Sequence, residues 1–285
     1  MEKPTISLAE NAIQNKTART LIYFFLCVTA FSMLMPFAWM LSSSLKLNRD
    51  VFSYPMQWIP KEPRWANYSR IWTQIPLAKY IYNTFKLAFI ITALQLLSSS
   101  FAAYAFAKLR FPGRRGLFLG YIATIAVPWQ AYMVPQFILM RSLGLNNTHM
   151  AMICLQAFSA FGVFMMKQFY ESIPDELREA ARIDGHSEYG IWLRIMLPLS
   201  KPALSTLIII TFVTTWNDFL GPMIYLTRTE LKTIQIGLRS FISQYSSEYG
   251  LIMAGSVVAL IPVLVVFLSL QRYFVQGIAS TGIKG

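Results

Sequence analysis

Asp218 is the one acidic residue that lies well inside a long apolar stretch of this chain, directly after Trp216 and Asn217. A carboxylate is costly to place in hydrocarbon, so such a residue usually lines a polar pathway or pairs with a neighbouring helix. The sequence alone leaves these two roles open. We therefore take Asn217 and Asp218 as candidate residues of a polar pathway across a membrane, with internal pairing of Asp218 as the alternative.

Patterns typical of catalysis or metal binding are missing from the sequence. His149 and His186 lie in different loops without an HExxH-type motif, and Cys27 and Cys154 lie in apolar segments, which does not support a disulfide framework or a zinc site. Residues 277–284, GIASTGIK, resemble a phosphate-binding loop, but isoleucine occupies the lysine position and no strand precedes them. We predict a chain with no catalytic residue, no metal site and no cofactor of its own.

The composition indicates a membrane protein. Hydrophobic residues make up 55% of the 285 residues and charged residues only 13%, whereas charged residues are about 25% of a soluble domain. The net charge of +12 comes from basic residues scattered in short segments between apolar runs. Such scattering is typical of membrane-surface loops and not of a single basic patch for nucleic acid, so the chain should bind a lipid bilayer and no nucleic acid.

Six apolar runs are long enough to cross a bilayer, since a helix needs about 20 residues to do so. The first is too long for a cleavable signal peptide. The third contains two prolines, which interrupt the backbone hydrogen bonds of a span. The predicted fold class is therefore all-α, a polytopic membrane protein with six transmembrane helices. The runs are residues 21–45, 83–107, 117–140, 150–169, 203–226 and 251–274.

The distribution of basic residues predicts the orientation. With six spans, both termini lie on one side of the membrane, and the segments on that side carry 14 Lys and Arg residues against 10 in the segments on the other side. The short loops give the clearer bias, and short loops carry most of the positive-inside signal. We therefore predict that both termini are cytoplasmic.

Residues 170–202, here called the elbow, form a polar segment between the fourth and fifth spans. Pro174 suits the first turn of a helix, where its missing N–H costs nothing. Two acidic residues follow Pro174 at the positive end of the helix dipole, and Arg182 lies near the negative end. The charges at both ends therefore stabilise the helix. Gly185 is suited to a left-handed turn that ends this helix.

A second short helix should follow, capped by Ser187 and stopped by Pro198. Ala180 and Ala181 are small enough to let another backbone approach the first helix closely. The elbow is thus predicted to be a helix–turn–helix on one membrane surface, on the same side as the termini. Composition alone leaves open that it is an ordinary structured loop.

The elbow resembles the "EAA…DG…I-LP" loop of permease subunits of bacterial ABC importers, and other motifs are similar to the maltose-type carbohydrate branch. The similarity extends from about Asn83 to the C-terminus, and His186 departs from the small residue usual in that family. The motif residues are Glu179-Ala180-Ala181, Asp184-Gly185, Ile195, Leu197 and Pro198 in the elbow, and elsewhere Ala102-Ala103-Tyr104, Phe111-Pro112-Gly113, Trp216-Asn217-Asp218-Phe219 and Gln271-Arg272-Tyr273-Phe274.

The resemblance implies a type I ABC importer permease, multi-pass in the bacterial cell (plasma or inner) membrane, that carries a carbohydrate. Its implied partners are a second homologous permease, two ATPase subunits that bind ATP and Mg, and an extracytoplasmic solute-binding protein. The elbow would be the coupling helix that docks on an ATPase subunit. The implied coupling residues are Glu179, Ala180, Ala181, Asp184 and Gly185.

These inferences divide the chain into four parts: a cytoplasmic segment 1–20, a first transmembrane helix with an outer loop 21–82, a transmembrane core 83–276 that includes the elbow, and a cytoplasmic tail 277–285. In maltose-type importers such a tail reaches the ATPase interface. The resemblance does not assign substrate contact to residues 216–219, because it implies a sugar cavity lined largely by the other permease subunit. The alternative function is an ion-gradient-driven secondary transporter. That mechanism needs ionisable residues at the membrane midplane, and Asp218 is essentially the only one. An intramembrane enzyme is disfavoured because no catalytic constellation is present.

Overall fold

The computed structural model describes residues 16–242 and 247–282, and for residues 274–282 the backbone only. Part of the predicted N-terminal segment 1–20 and the end of the tail 277–285 lie outside these residues. The described parts are built from helices. Their bounds are α1 Lys16–Ser44, α2 Ala66–Gln74, α3 Leu77–Lys108, α4 Arg114–Ala123, α5 Trp129–Ser142, α6 His149–Gln156, α7 Ala160–Ser172, α8 Asp175–Ile183, α9 Glu188–Leu199, α10 Lys201–Trp216, α11 Leu220–Tyr225, α12 Ile234–Arg239 and α13 Tyr249–Gly282.

The predicted all-α fold with six spans is confirmed. Among the described residues, four segments are long and apolar enough to cross a membrane, and the number rises to six when each of two bent helix pairs is counted as one span. One pair, Arg114–Ala126 with Trp129–Ser142, is bent by 101°, and the other, Glu188–Leu199 with Lys201–Trp216, by 78°. The first bend lies at Pro128, where the sequence predicts an interrupted hydrogen-bond ladder because proline has no N–H.

The prediction of one continuous helix over residues 203–226 is wrong. Helix α10 ends at Trp216, and α11 begins only at Leu220. Pro222 gives a physical reason for the break. In a continuous helix its ring would clash with the carbonyl group of the residue four positions earlier, Asp218. Similarly, α3 begins at Leu77 and not at the predicted Asn83, directly after Pro76.

The chain forms two compact units. The described residues of the first are 16–71, 241–242 and 247–258. Within it, α1 exposes nearly all its apolar side chains, as a lipid-facing helix does. The loop after α1 is held by Asn67, whose amide donates to the carbonyl oxygens of Ser44 at 2.9 Å and Lys46 at 3.0 Å. The Lys46 ammonium lies 4.0 Å from the ring centre of Trp39.

The described residues of the second unit are 72–240 and 259–282, and α3 is its central helix. Helix α3 packs mainly against α7 and α10. Their contact surface includes Ala103, Val163, Met166 and Leu207, all buried. Small residues let helices approach closely in a membrane, where van der Waals packing drives association. Gly162 of α7 is such a point, since an added Cβ would lie 2.4 Å from Ser99 Oγ and 3.1 Å from Ser99 Cβ.

Gly162→Val is therefore expected to destabilise the subunit. An overpacked core costs about 1–3 kcal/mol, which should lower the Tm measured by heating the detergent-purified protein. Gly120→Val is the matched control, because a Cβ at Gly120 meets no atom within 4 Å. An equal Tm for the two variants would contradict the close α3–α7 packing.

Candidate functional site

The first helix of the elbow, α8, has the predicted caps. Asp175 and Glu176 lie in its first turn and Arg182 in its last. Gly185 has a φ of +80°, which confirms the predicted left-handed turn. The amide of Gly185 donates to the Arg182 carbonyl at 3.1 Å, and that of His186 to the Ala181 carbonyl at 3.0 Å. This pair of bonds is a Schellman motif, which ends the helix and reverses the chain.

The second helix of the elbow, α9, begins where it was predicted. The Ser187 hydroxyl caps it by accepting a hydrogen bond from the amide of Gly190 at 3.2 Å. The predicted stop at Pro198 is off by one residue, since the helix ends at Leu199. A π-helical turn over Trp192–Met196 precedes the proline. A π-helical turn does not use the i→i−4 hydrogen bonds of an α-helix, and these are the bonds that a proline removes. The helix can therefore include Pro198 and continue to Leu199 before the chain bends.

Glu188 joins the two elbow helices to α3. Its carboxylate accepts from Arg178 Nη2 at 2.9 Å and from Arg178 Nε at 3.2 Å, and it lies 3.0 Å from Arg182 Nε. The hydroxyl of Tyr104, on α3, donates to the same carboxylate. Burial acts to raise the pKa of Glu188, but the hydrogen bonds from Arg178 and Tyr104 outweigh it and leave that pKa below its usual value. We call Tyr104, Arg178, Arg182 and Glu188 the elbow cluster.

A second tie joins the end of α3 to the start of α8. The side chain of Lys108 is only 4% exposed. Its ammonium donates to Asp175 Oδ1 at 2.6 Å and to the Ile173 carbonyl at 2.6 Å. The hydrogen bond from Lys108 lowers the pKa of Asp175. The elbow is thus bound to α3 at both ends of α8, so α8 and α3 should move together.

The residues predicted for coupling do not all lie on one surface. Glu179, Ala180, Asp184 and Gly185 are exposed, whereas Ala181 is only 4% exposed and packs in the core under the elbow. Ala181 therefore does not lie on the open face with Ala180. Ile183 does, with 87% of its surface exposed. Sequence reasoning missed Ile183, although a large apolar residue beside the EAA motif was a usable signal.

Asn217 and Asp218 lie on the wall of a cavity of about 730 Å³. The break between α10 and α11 places them there, opposite side chains from α3, α5 and α6. The cavity wall combines aromatic rings with amide and hydroxyl groups. The aromatic residues include Trp129, Tyr132, Phe158 and Phe161, and the polar ones include Gln95, Gln136, Gln156, Thr211 and Thr214.

Asp218 has partners within this chain and also faces the cavity, so its two predicted roles are compatible. Its Oδ2 accepts from Gln156 Nε2 at 2.9 Å, and its Oδ1 accepts from the amide of Gly221 at 3.1 Å, at the start of α11. Asn217 Oδ1 accepts from Gln235 Nε2 at 3.1 Å. The sequence did not single out Gln95 or Gln156, since one amide in an apolar helix carries little signal before its neighbours are known.

Comparisons with known proteins agree with this architecture. Residues 5–280 match the family described as "Binding-protein-dependent transport system inner membrane component". The chain is 34% identical to the lactose transport system permease protein LacG of Rhizobium radiobacter over 259 residues, 91% of this chain and 94% of that protein. It is 37% identical to the arabinooligosaccharides transport system permease protein AraQ of Bacillus subtilis over 207 residues, 73% of this chain and 74% of that protein.

A solved structure is also similar. It is the crystal structure of a bacterial ABC transporter involved in the import of the acidic polysaccharide alginate, with a TM-score of 0.79 and 25% sequence identity. The match covers 91% of this chain and 98% of that one. With six spans, an EAA-type elbow and a family match over nearly its whole length, the chain belongs to the binding-protein-dependent inner membrane components, the permease subunits of ABC importers.

Proposed function

We propose that this chain is the permease half of an ATP-driven carbohydrate importer and couples to an ATPase subunit through its elbow. The observation that carries the proposal is the construction of α8, an exposed helix with a fixed end that is tied to α3 by Lys108 and by the elbow cluster. An external subunit that pushes on α8 therefore acts on a helix that crosses the membrane. The names of the relatives support carbohydrate as the substrate class.

The proposed assembly contains a second homologous permease, two ATPase subunits that hydrolyse ATP with Mg, and an extracytoplasmic solute-binding protein. Both termini and the elbow lie in the cytoplasm, where ATP is present. The chain itself is a transport subunit that takes no catalytic step. Its contribution is to change between inward-facing and outward-facing states, which requires each partner to favour one state by a few kcal/mol, about 1–5.

The coupling residues take two roles in this proposal. Glu179, Ala180, Asp184 and Gly185, with Ile183, form the face that contacts the ATPase subunit. Ala181 acts beneath that face, where its small side chain lets α8 lie close to the core. Asn217 and Asp218 line the translocation pathway.

Site-directed cross-linking tests both the docking face and the orientation. Cys27 and Cys154 are exposed, so both are first replaced by serine. Ile183→Cys is expected to cross-link to the co-purified ATPase and to react with a membrane-impermeant maleimide only in inverted vesicles. Leu143→Cys, at another exposed apolar residue, lies in a loop predicted to be external and should react only in intact cells and form no ATPase cross-link.

Transport assays separate this function from the alternative. Uptake of a carbohydrate should stop when the ATPase subunit is inactivated and should survive a protonophore. Uptake that survives loss of the ATPase but fails with the protonophore would instead identify an ion-gradient-driven transporter. Reaction of Ile183→Cys from the cell exterior would refute the coupling role of the elbow.

A further inference from the structure

The cavity beside Asp218 carries a hydrogen-bond network that holds its polar groups in place. Gln95 Nε2 donates to the Gln156 carbonyl at 2.7 Å, and the Thr211 hydroxyl donates to Gln95 Oε1 at 3.0 Å. Gln156 in turn donates to Asp218. The network links α3, α6, α10 and the break after α10. Polar groups fixed in this way lose little freedom when a ligand binds, which favours affinity.

The network also leaves room for a ligand. Each carboxylate oxygen offers about two acceptor sites, and each oxygen of Asp218 accepts one bond in the structure. The Thr214 hydroxyl, exposed on the same wall, donates to the Ile210 carbonyl at 2.6 Å and can still accept. These acceptors, with the second amide N–H of Gln95 and of Gln156, suit a molecule with many hydroxyl groups, since a hydroxyl both donates and accepts.

Aromatic rings form the other part of the wall. Trp129 and Tyr132 lie on α5, and Phe158 lies between α6 and α7 with 72% of its surface exposed. The face of an aromatic ring is electronegative, and the C–H groups on one face of a sugar ring are weakly electropositive. The aromatic rings therefore match the C–H face of a sugar ring, and the neighbouring amides and carboxylate match its hydroxyl groups. The volume of about 730 Å³ lies within the range of about 300–1,000 Å³ for small-molecule sites.

Charge narrows the class of ligand. Among the described residues that line the cavity, Asp218 is the only one with a charged side chain, and no lysine, arginine or histidine is present. An anionic ligand moved out of water needs a cation or several donors to offset its desolvation. This wall offers it a carboxylate instead.

We propose that this cavity is a binding site for neutral carbohydrate within this subunit, and that its charge discriminates against anionic sugars. Asp218, Gln156 and Gln95 bind sugar hydroxyls, and Trp129 and Tyr132 pack against the sugar ring. The inference rests on the proposed function, since it places the carried substrate in this chain.

The test uses the complete importer in proteoliposomes. Uptake is first measured for four neutral disaccharides (lactose, maltose, cellobiose and arabinobiose) and two anions (digalacturonate and sn-glycerol-3-phosphate). A transported neutral sugar is then the probe for Thr214→Cys in the background with serine at positions 27 and 154. That sugar should slow the reaction of Thr214→Cys with N-ethylmaleimide by about tenfold at saturation. It should not slow the reaction of Thr206→Cys, a threonine on α10 away from the cavity wall.

Substitutions give a second readout that does not depend on labelling. Gln156→Leu and Trp129→Ala are each expected to raise the KM for the neutral sugar about tenfold. A neutral sugar that is transported without protecting Thr214→Cys, and with an unchanged KM in both variants, would overturn the inference and leave the proposed function standing. Transport of either anion as efficiently as a neutral sugar would also overturn it. Failure to transport any panel member, neutral or anionic, would count against carbohydrate import, the proposed function, and not against this site alone.

Discussion

Gly185→Leu is expected to lower the amount of substrate carried per ATP hydrolysed about tenfold, while the subunit still inserts and assembles. The backbone of Gly185 has a φ of +80°, which costs a side-chain-bearing residue about 1–3 kcal/mol, and 1.4 kcal/mol is a factor of ten. A Cβ at Gly185 would meet no atom within 4 Å. The effect is therefore due to the backbone and not to a steric clash.

The chain relieves this strain by leaving the left-handed conformation, and the two bonds of the Schellman motif are then lost. Helix α8 would keep its sequence but lose its fixed end, so an ATPase subunit would push on a helix that frays. The measurement is the ratio of substrate uptake to ATP hydrolysis by the complete importer in proteoliposomes.

Two variants serve as controls. Gly185→Asn should retain most coupling, because asparagine tolerates the left-handed conformation better than other residues. Gly190→Ala, five residues on in the same elbow, should behave as wild type, since its Cβ would make only ordinary contacts at 3.5 Å or more. Normal coupling in Gly185→Leu, or an equal loss in Gly185→Asn, would show that the left-handed turn has no role in coupling.

The coupling proposal has a structural route inside one helix. Lys108 and Tyr104, near the end of α3, hold the elbow. Gln95 lies on the same helix, about two and a half turns before Tyr104 and about three and a half turns before Lys108, and lines the cavity. A displacement of the elbow therefore shifts a group that contacts the proposed ligand, without any separate linker. Helix α3 also packs against α10, and α10 carries Thr211 and part of the cavity wall.

Features set by local chemistry could be predicted from the sequence. The spans followed from the length and polarity of apolar runs. The ends of α8 and the start of α9 followed from Pro174, Gly185 and Ser187, because each residue acts on backbone groups within a few positions. A missing N–H predicted an interruption at both Pro128 and Pro135. The chain bends at Pro128, whereas Pro135 lies inside α5.

Features set by tertiary packing could not be predicted. Which of Ala180 and Ala181 faces outward depends on how α8 is rotated on the core. The tie between Tyr104 and Glu188 joins residues 84 positions apart, a distance over which sequence carries no pairing signal. The cavity depends on the break at Asn217–Phe219, and of its causes only Pro222 acts locally along the sequence.

Glu188→Leu is expected to destabilise the subunit and to reduce coupling. Arg178 would lose its partner while its side chain remains only 15% exposed, and Tyr104 would lose its acceptor. The loss of a hydrogen-bonded charge costs about 1.5–3 kcal/mol, which should appear as a lower Tm. Glu230→Ala is the matched control, because the Arg228–Glu230 pair is about 60% exposed on both sides and an exposed pair contributes about 0–1 kcal/mol.

A double variant separates the loss of the charge from the loss of the tie. Arg178→Met combined with Glu188→Leu removes both charges, so much of the stability should return, yet the link from α8 to α9 through this ion pair stays absent and coupling stays low. The pKa of Glu188 is depressed in the fold, so its contribution is present above the pKa of the unfolded chain and is lost as pH falls through the folded value. The Tm difference between wild type and Glu188→Leu should therefore shrink on acidification. A double variant that recovers both Tm and full coupling would mean that the elbow cluster stabilises the fold without transmitting motion.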